Sequence, residues 1–325
     1  MFQAMDAKGQ LHHLLTGPLP QGGAFFCPFC KQELILKSGQ WVRPHFAHQV
    51  GQACEGAVLN EGAEHLNLKA DLFDWAQVHE AVALEVGQAK GSVVSDLLLS
   101  QNLALEIQCS PLSPQDYERR SRAYQDLGLP VVWLLGSKHF LKGRLTELQR
   151  LCLRFSPSCG YFFWNLDGQK QELVLHYLLH QDLHGRCQGL VAVFPFFQKP
   201  LREVLRWPYQ QRQLRSFEGR LDWHFPRYLA KELRYRNPYW VEQQLQAYQA
   251  GQNLLTRTLA DWYPQFVPVK PVTGLRLQSD LERDYEQQFL TFYAQSSTVY
   301  RQVLYSPFYY RGECDKIGIM EEINS

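Results

Sequence analysis

The fold is decided by the stretch at residues 93–109, which reads VVSDLLLSQNLALEIQC. Two apolar runs flank a short polar turn, a pattern that predicts a β-hairpin. Each run contains one isolated acidic residue, Asp96 in the first and Glu106 in the second. A charge inside an apolar strand is costly unless it is paired or metal-bound. These two carboxylates are therefore the first candidates for a functional site.

The segments on either side of this hairpin predict a mixed α/β order. Apolar residues at three-to-four spacing indicate an amphipathic helix over residues 59–78, and AVALEVG at 81–87 indicates a strand. After the hairpin, Ser113 or Asp116 can cap a second helix that Gly128 ends, before the apolar strand PVVWLL. The predicted order is α-β-β-β-α-β.

Length predicts about two domains, whereas the order of motifs and breaks along the chain predicts three domains and an α+β fold. The chain has 325 residues, of which 45% are hydrophobic, so more than one core can form. GPLPQGG at 17–23 interrupts the first segment, whereas later a hairpin that turns at Asp167 precedes helical patterns broken by prolines. We expect a small metal-stabilised module over 1–57, an α/β domain over 58–145 and a mostly helical domain over 146–325.

The charge of the chain is uneven although it sums to only +1. Residues 55–126 carry 12 acidic and 5 basic side chains, whereas residues 202–236 carry 4 acidic and 9 basic ones. Nucleic-acid binding must therefore come from local patches. No apolar run reaches the length of a membrane span, and the N-terminal residues lack the features of a secretory signal. We expect a cytoplasmic protein without membrane contact. The sequence contains no phosphate-loop motif, which argues against an ATP-driven motor.

Cysteines and histidines near the N-terminus have the spacing of a structural zinc site. We assign Cys27, Cys30, His48 and Cys54 as ligands, with His45 as the substitute. In an extended HFAH run the two histidines face opposite sides, so only one can ligate. The alternatives are free buried cysteines beside surface histidines, and a redox Cys-x-x-Cys pair, which lacks its usual strand-helix context.

The acidic residues of the hairpin predict a second metal site. Asp96 and Glu106 can converge on one sheet edge and hold Mg²⁺ or Mn²⁺, with Gln108 on the same strand face as Glu106. Alternatively Asp96 is a surface carboxylate near a turn, and Glu106 is a strand charge paired with an arginine. Glu61, His65 and Lys69 are spaced by four and share one helix face, which is either part of this site or a solvated surface.

Basic and aromatic residues provide candidate DNA contacts, because arginines bind phosphates and aromatic rings stack on unpaired bases. An exposed basic helix surface is the alternative in the first region, and an aromatic core covered by arginine stems is the alternative in the second. The candidates are Arg119, Arg120 and Tyr124 after the hairpin, and Arg212, Arg215 and Trp223 in the basic region.

With these motifs assembled, the sequence resembles the CoiA family of competence proteins over about its first 140 residues. The resemblance rests on several motifs in order: FCPFC at 26–30, ELILKSG at 33–39, PHFAH at 44–48, Cys54, EGAEHLNLK at 61–69, Asp96, EIQCS at 106–110 and YERRSRAYQDLGLPVVWLLG at 117–136. It implies natural transformation, with single-stranded or branched DNA as substrate and RecA as partner. It also implies a zinc-ribbon-like module and a PD-(D/E)xK nuclease-like core.

The resemblance further implies roles for individual residues. Asp96 and Glu106 would be the ligands of the catalytic ion, with His65 and Lys69 beside them. Gln108 stands where the family fold usually has a catalytic lysine, and a neutral amide supplies only part of that function. Lys69 or Lys90 could supply the missing charge.

Three functions follow. The first is a metal-dependent nuclease of recombination, which the retained Asp96 and Glu106 favour. The second is a DNA-binding recombination mediator without catalysis, which the Glu-x-Gln motif favours. The third is a zinc-stabilised protein-interaction module without DNA contacts.

Overall fold

The structure is a computed structural model of the whole chain. It describes residues 1–39, 43–49, 54, 61–88, 93–210, 213–272, 279–296 and 300–312. Within these ranges no helix combines the length and apolar character that crossing a bilayer requires.

The N-terminal segment forms a small antiparallel sheet of its own. Its strands lie in the order β2-β1-β3-β4-β5. Phe25, Leu34 and Phe46 form its apolar core together with Cys27, which places a metal-type ligand inside the module. The strands are β1 (Gln3–Asp6), β2 (Leu11–His13), β3 (Phe25–Phe26), β4 (Glu33–Lys37) and β5 (His45–His48).

The next six elements confirm the predicted α-β-β-β-α-β order. Strands β6 to β8 form an antiparallel meander, and β8 pairs with β9 in parallel because α2 crosses over between them. Ser113 is the N-cap of α2, and Gly128 follows it with a positive φ of 62°. The elements are α1 (Ala63–Gln77), β6 (Val82–Gln88), β7 (Val93–Leu99), β8 (Leu103–Gln108), α2 (Pro114–Asp126) and β9 (Val131–Leu135).

The sheet continues past residue 145, where mostly helical structure was expected. β9 pairs in parallel with β11, and the predicted hairpin is present as β11 and β12, so the strand order is β13-β12-β11-β9-β8-β7-β6. The expectation of a mainly helical region is therefore wrong for residues 154–195. These elements are α3 (Glu147–Leu151), β10 (Arg154–Ser156), β11 (Gly160–Asp167), β12 (Glu172–Gln181) and β13 (Cys187–Pro195).

Helices cover both faces of this long sheet. One core packs α1 and α4 against the same face of the sheet. In this core Trp75 stacks on Phe196, and its indole N–H donates to the Lys199 carbonyl at 2.7 Å. The other core packs α2, α3 and α7 against the opposite face around Trp133 and Phe163. A separate cluster holds α5 and α6 together. The remaining elements are α4 (Leu201–Gln210), β14 (Ser216–Glu218), α5 (Phe225–Arg234), α6 (Pro238–Gln249), β15 (Val267–Pro268), α7 (Asp280–Ala294), β16 (Val303–Tyr305) and α8 (Pro307–Tyr310).

Candidate functional site

The N-terminal module brings together the four predicted zinc ligands. The ligand atoms of Cys27, Cys30, His48 and Cys54 all lie within 4.8 Å of one another. The Cys30 sulfur is 3.2 Å from His48 Nε2, and the sulfurs of Cys27 and Cys54 are 4.0 Å apart. Three thiols and one imidazole at these separations form the closed four-ligand set of structural zinc sites. The residues therefore fit a zinc ion.

Burial shows why an ion suits this cluster. It raises the pKa of the Cys27 thiol to about 12, so a bare thiolate is unfavourable there without a cation. It lowers the pKa of His48, which keeps the imidazole in the neutral form that a metal requires. His45, the substitute ligand, lies on the opposite face of β5, where its Nδ1 is 2.9 Å from the Arg43 carbonyl. Strand alternation thus selects His48.

A second cluster of charges lies between α1 and the central sheet. His65 Nε2 is 3.0 Å from Asp96 Oδ1 and 3.4 Å from Glu61 Oε1. The Lys69 ammonium is 3.1 Å from the same Asp96 oxygen and also contacts Glu61. The predicted polar stripe of α1 therefore faces the site and not the solvent.

Glu85 completes the cluster, although the sequence reasoning did not select it. Its carboxylate lies 3.0 Å from Lys69 Nζ and accepts the backbone N–H groups of Phe2 at 2.8 and 2.9 Å and of Gln3 at 3.1 Å. Its φ of 48° is unusual for a side chain inside a strand. The available signal was a lone acid in the apolar run of β6. The Met1 amino group, 3.1 Å from Glu61, adds a further positive charge.

Electrostatics bind these groups tightly. Burial alone opposes the charged forms, yet the neighbouring carboxylates raise the pKa of Lys69 well above its usual value and raise that of His65 as well. Conversely, His65 and Lys69 hold the pKa of Asp96 below its usual range despite its burial. The cluster is therefore a network of charged groups that depend on one another.

Asp96 and Glu106 lie where the two hairpin strands separate. The ladder between β7 and β8 ends at the Leu97–Leu105 pair, and the two acids are the next residue on each strand. Asp96 Oδ2 accepts the Ile107 N–H at 2.8 Å, which leaves Oδ1 facing α1. Leu105 and Ile107 belong to the core beneath α1, so strand alternation turns Glu106 toward the opposite face.

Glu106 is therefore paired with α2 and not with the α1 cluster. Arg120 donates to one of its carboxylate oxygens and Tyr124 donates to the other. Burial raises the pKa of Glu106, and the guanidinium of Arg120 opposes that rise. This arrangement is the alternative in which the strand charge pairs with an arginine, and an ion shared by Asp96 and Glu106 does not fit it.

Gln108 is also turned away from the α1 cluster. Its side-chain amide donates to the Ser110 carbonyl at 2.7 Å and to the Ser110 hydroxyl at 3.2 Å. Of the two lysines that could replace the usual catalytic lysine, Lys69 lies in the cluster and Lys90 lies outside the described residues.

The candidate DNA contacts of α2 fall into two groups. Arg119 is exposed and reaches Asp116 at 3.4 Å. Tyr124 is buried, and Arg120 packs over Trp133 at 5.0 Å from the ring centre while it pairs with Glu106. The expectation that Arg120 and Tyr124 face nucleic acid is therefore not met, because the buried Glu106 carboxylate holds both.

The three candidate residues of the basic region have different environments. Arg212 lies outside the described residues, and Arg215 is partly buried with its guanidinium 2.9 Å from the Gln213 side chain. Trp223 is 43% exposed and stacks on Tyr300 at 5.7 Å. Phe225 and Trp240 are buried and form the aromatic core that was the alternative prediction.

These observations define a mixed α/β protein in which a Cys₃His module precedes a domain with a buried ion-pair cluster. Residues 61–205 match the family model described as "Competence protein CoiA, nuclease-like domain", and residues 13–57 match "Competence protein CoiA, N-terminal domain". The chain belongs to the CoiA family of competence proteins.

A curated relative supports this assignment over part of the chain. The competence protein CoiA of Bacillus subtilis (strain 168) is 30% identical over 118 residues. The alignment covers 34% of this chain and 31% of the relative, so the chain matches about a third of that protein's length. No solved structure matches.

Proposed function

We propose that this protein processes DNA during natural transformation through its nuclease-like domain, with RecA as its partner. The observation that carries the proposal is the buried cluster of Glu61, His65, Lys69 and Asp96 at the point where β7 and β8 separate. It lies inside the segment that matches the CoiA nuclease-like model. A competence role follows from the family, and the DNA chemistry is inferred from the cluster.

The proposed reaction is hydrolysis of a phosphodiester, in which water attacks phosphorus and the bond to the leaving oxygen breaks. A divalent cation bound at such a site polarises a phosphoryl oxygen and lowers the pKa of bound water. Asp96 is anchored by the Ile107 N–H, so it holds a fixed position for binding. Lys69 is fully buried and acts as a positioning residue for the carboxylates around it.

A second candidate function is DNA binding in recombination without cleavage. The observation that favours it is that Arg120 and Tyr124 already occupy both oxygens of Glu106, and that Gln108 is bonded to Ser110. In this arrangement neither Glu106 nor Gln108 is free for the catalytic role that the family resemblance implies. In this alternative the exposed Trp223 and Arg119 bind DNA and the acidic cluster serves stability.

Labelled single-stranded, duplex and branched DNA, incubated with Mn²⁺ or Mg²⁺, separates these functions. The nuclease proposal expects cleavage by the wild-type protein and its loss in Asp96→Asn, with DNA binding kept in both. Asp116→Asn, which removes an exposed carboxylate of α2, is the matched control and should cleave normally. Binding without cleavage by all three proteins would support the mediator. Absence of both activities would favour a protein-interaction module.

The RecA partnership is tested with the same proteins. RecA filaments on single-stranded DNA should retain the wild-type protein in a sedimentation assay. If the amount retained equals that on DNA without RecA, the proposed partnership is wrong.

A further inference from the structure

The predicted Asp96–Glu106 ion site does not fit the structure, whereas Asp96 lies close to a different set of ligands at the start of α1. We propose that the divalent cation site of the nuclease-like domain consists of Glu61, His65 and Asp96, and that it prefers Mn²⁺ to Mg²⁺. This inference rests on the proposed function, because it names the cation site of the same reaction centre.

The geometry of these three side chains suits a single ion. Their ligand atoms lie within 4.8 Å of one another, and His65 Nε2 is 3.0 Å from Asp96 and 3.4 Å from Glu61. Ligand atoms bound at about 2.1 Å from one ion lie within roughly 4.2 Å of each other, so both distances are compatible with shared coordination. The oxygens of Glu106 are held by two side chains of α2, whereas those of Glu61 contact the Lys69 and Met1 ammonium groups, whose place an ion would take.

Solvent exposure distinguishes the three proposed ligands from Lys69 and Glu106. The side chains of Glu61, His65 and Asp96 are 11%, 17% and 10% exposed, whereas those of Lys69 and Glu106 are each 1% exposed. The three proposed ligands therefore have the least buried side chains of this comparison. Glu106 lies behind the strands, where an ion would have to displace both Arg120 and Tyr124.

The Lys69 ammonium marks the place that the ion would take. The Lys69 ammonium lies 3.1 Å from Asp96 Oδ1 and contacts Glu61, at the position between the two carboxylates. Glu85 holds the same ammonium at 3.0 Å from the buried side. When an ion enters between Glu61 and Asp96, Lys69 thus keeps Glu85 as its counter-ion.

The donor set determines the metal preference. Mg²⁺ favours oxygen ligands and keeps several waters, whereas an imidazole nitrogen suits first-row transition ions. Two carboxylates and one imidazole match Mn²⁺, which accepts both donor types.

Electron paramagnetic resonance of Mn²⁺ tests the site without DNA. Protein that retains its zinc is titrated with Mn²⁺, and the loss of the free-ion signal reports binding. The wild-type protein should bind one Mn²⁺ that only a large excess of Mg²⁺ displaces. His65→Ala and Glu61→Gln should each weaken binding by at least about tenfold, and Glu106→Gln should leave it unchanged. If His65→Ala does not fold, as judged by circular dichroism, Glu61→Gln carries the test.

The outcomes separate this inference from the proposed function. The ligand assignment would be overturned if Glu106→Gln weakened Mn²⁺ binding and Glu61→Gln left it unchanged, even if the protein cleaves DNA. Equal affinity for Mg²⁺ would overturn the preference, and absence of Mn²⁺ binding would overturn the site. Mn²⁺ binding that depends on His65 and Glu61, in a protein that does not cleave DNA, would confirm the site and refute the nuclease.

Discussion

Substituting Lys69 by methionine tests whether the buried cluster is held together by its ion pairs. Methionine keeps most of the length and apolar volume of the side chain but removes the ammonium. The change removes the counter-ion that Glu61, Glu85 and Asp96 share. In the wild-type protein the Lys69 ammonium lies 3.0 Å from Glu85 and 3.1 Å from Asp96. Removing one partner of a buried pair typically costs about 3–5 kcal/mol. We expect the unfolding free energy of the protein to fall by an amount in this range.

The matched control is Lys170→Met, which removes an ammonium that is exposed to solvent. The Lys170 side chain is 70% exposed and lies 3.9 Å from Asp167, so its loss should cost at most about 1 kcal/mol. Both variants are unfolded in urea and followed by far-ultraviolet circular dichroism, with zinc present throughout. The transition midpoint should fall clearly in Lys69→Met and little in Lys170→Met.

A double variant shows whether the loss comes from the ion pair itself. Glu85→Gln removes the deepest carboxylate, so in the Lys69→Met background it should cost less than it does alone. The coupling energy between the two positions should lie in the range of about 0.5–3 kcal/mol. If Lys69→Met is as stable as Lys170→Met, or if the two effects simply add, the cluster is not the buried charge network described above.

The remaining predictions concern pH, the metal module and the aromatic surface. The folded-state pKa of His65 lies above its ordinary 6.5, so the stabilising charge of His65 is fully present below pH 6.5 and is lost as pH rises through the folded value. In urea unfolding, His65→Gln should therefore lose more stability near pH 6 than near pH 9. Cys30→Ser should lose zinc by metal analysis, while Cys109→Ser keeps it, because only Cys30 belongs to the Cys₃His cluster. Trp240→Ala should cost about 3–5 kcal/mol in unfolding, while the exposed Trp223→Ala should cost little but weaken single-stranded DNA binding by about 1–3 kcal/mol in fluorescence anisotropy. Equal stability losses at both tryptophans, with unchanged DNA binding, would contradict this division.

The local order of elements could be predicted because each element carries its own periodic pattern. The hairpin of β7 and β8 and the helix α1 follow from apolar spacing, and Ser113 and Gly128 delimit α2. The extension of the sheet beyond β9 could not be predicted this way. The pairing of β9 with β11 is parallel and joins residues about thirty positions apart, and such a pairing leaves no mark on either strand alone.

The two metal-type clusters differ in how far spacing determines them. Cys27 and Cys30 are separated by two residues, and strand alternation allows only one of His45 and His48 to ligate, so local rules give most of the site and the structure decides the histidine. The partner of Glu106 is set by how α2 packs on the sheet, and only that packing brings Arg120 to it. Glu85 carries the same local signal as Asp96, a lone acid in an apolar run, but its contacts with Phe2 and Lys69 arise from packing of distant segments on β6.

Aromatic residues show the same limit in the C-terminal region. Phe225 and Trp240 have the same sequence character as Trp223, yet the first two are buried between α5 and α6 and the last is exposed beside Tyr300. Composition predicts that such rings either form a core or bind bases. Only the helix packing decides which ring does which.

The most direct test of the account is to locate Mn²⁺ by anomalous scattering in crystals of the zinc-loaded protein. We expect one manganese peak in contact with Glu61, His65 and Asp96, apart from the zinc held by the Cys₃His cluster. A manganese peak on Glu106, or no peak beside Asp96 at an ion concentration that supports DNA cleavage, would contradict this assignment.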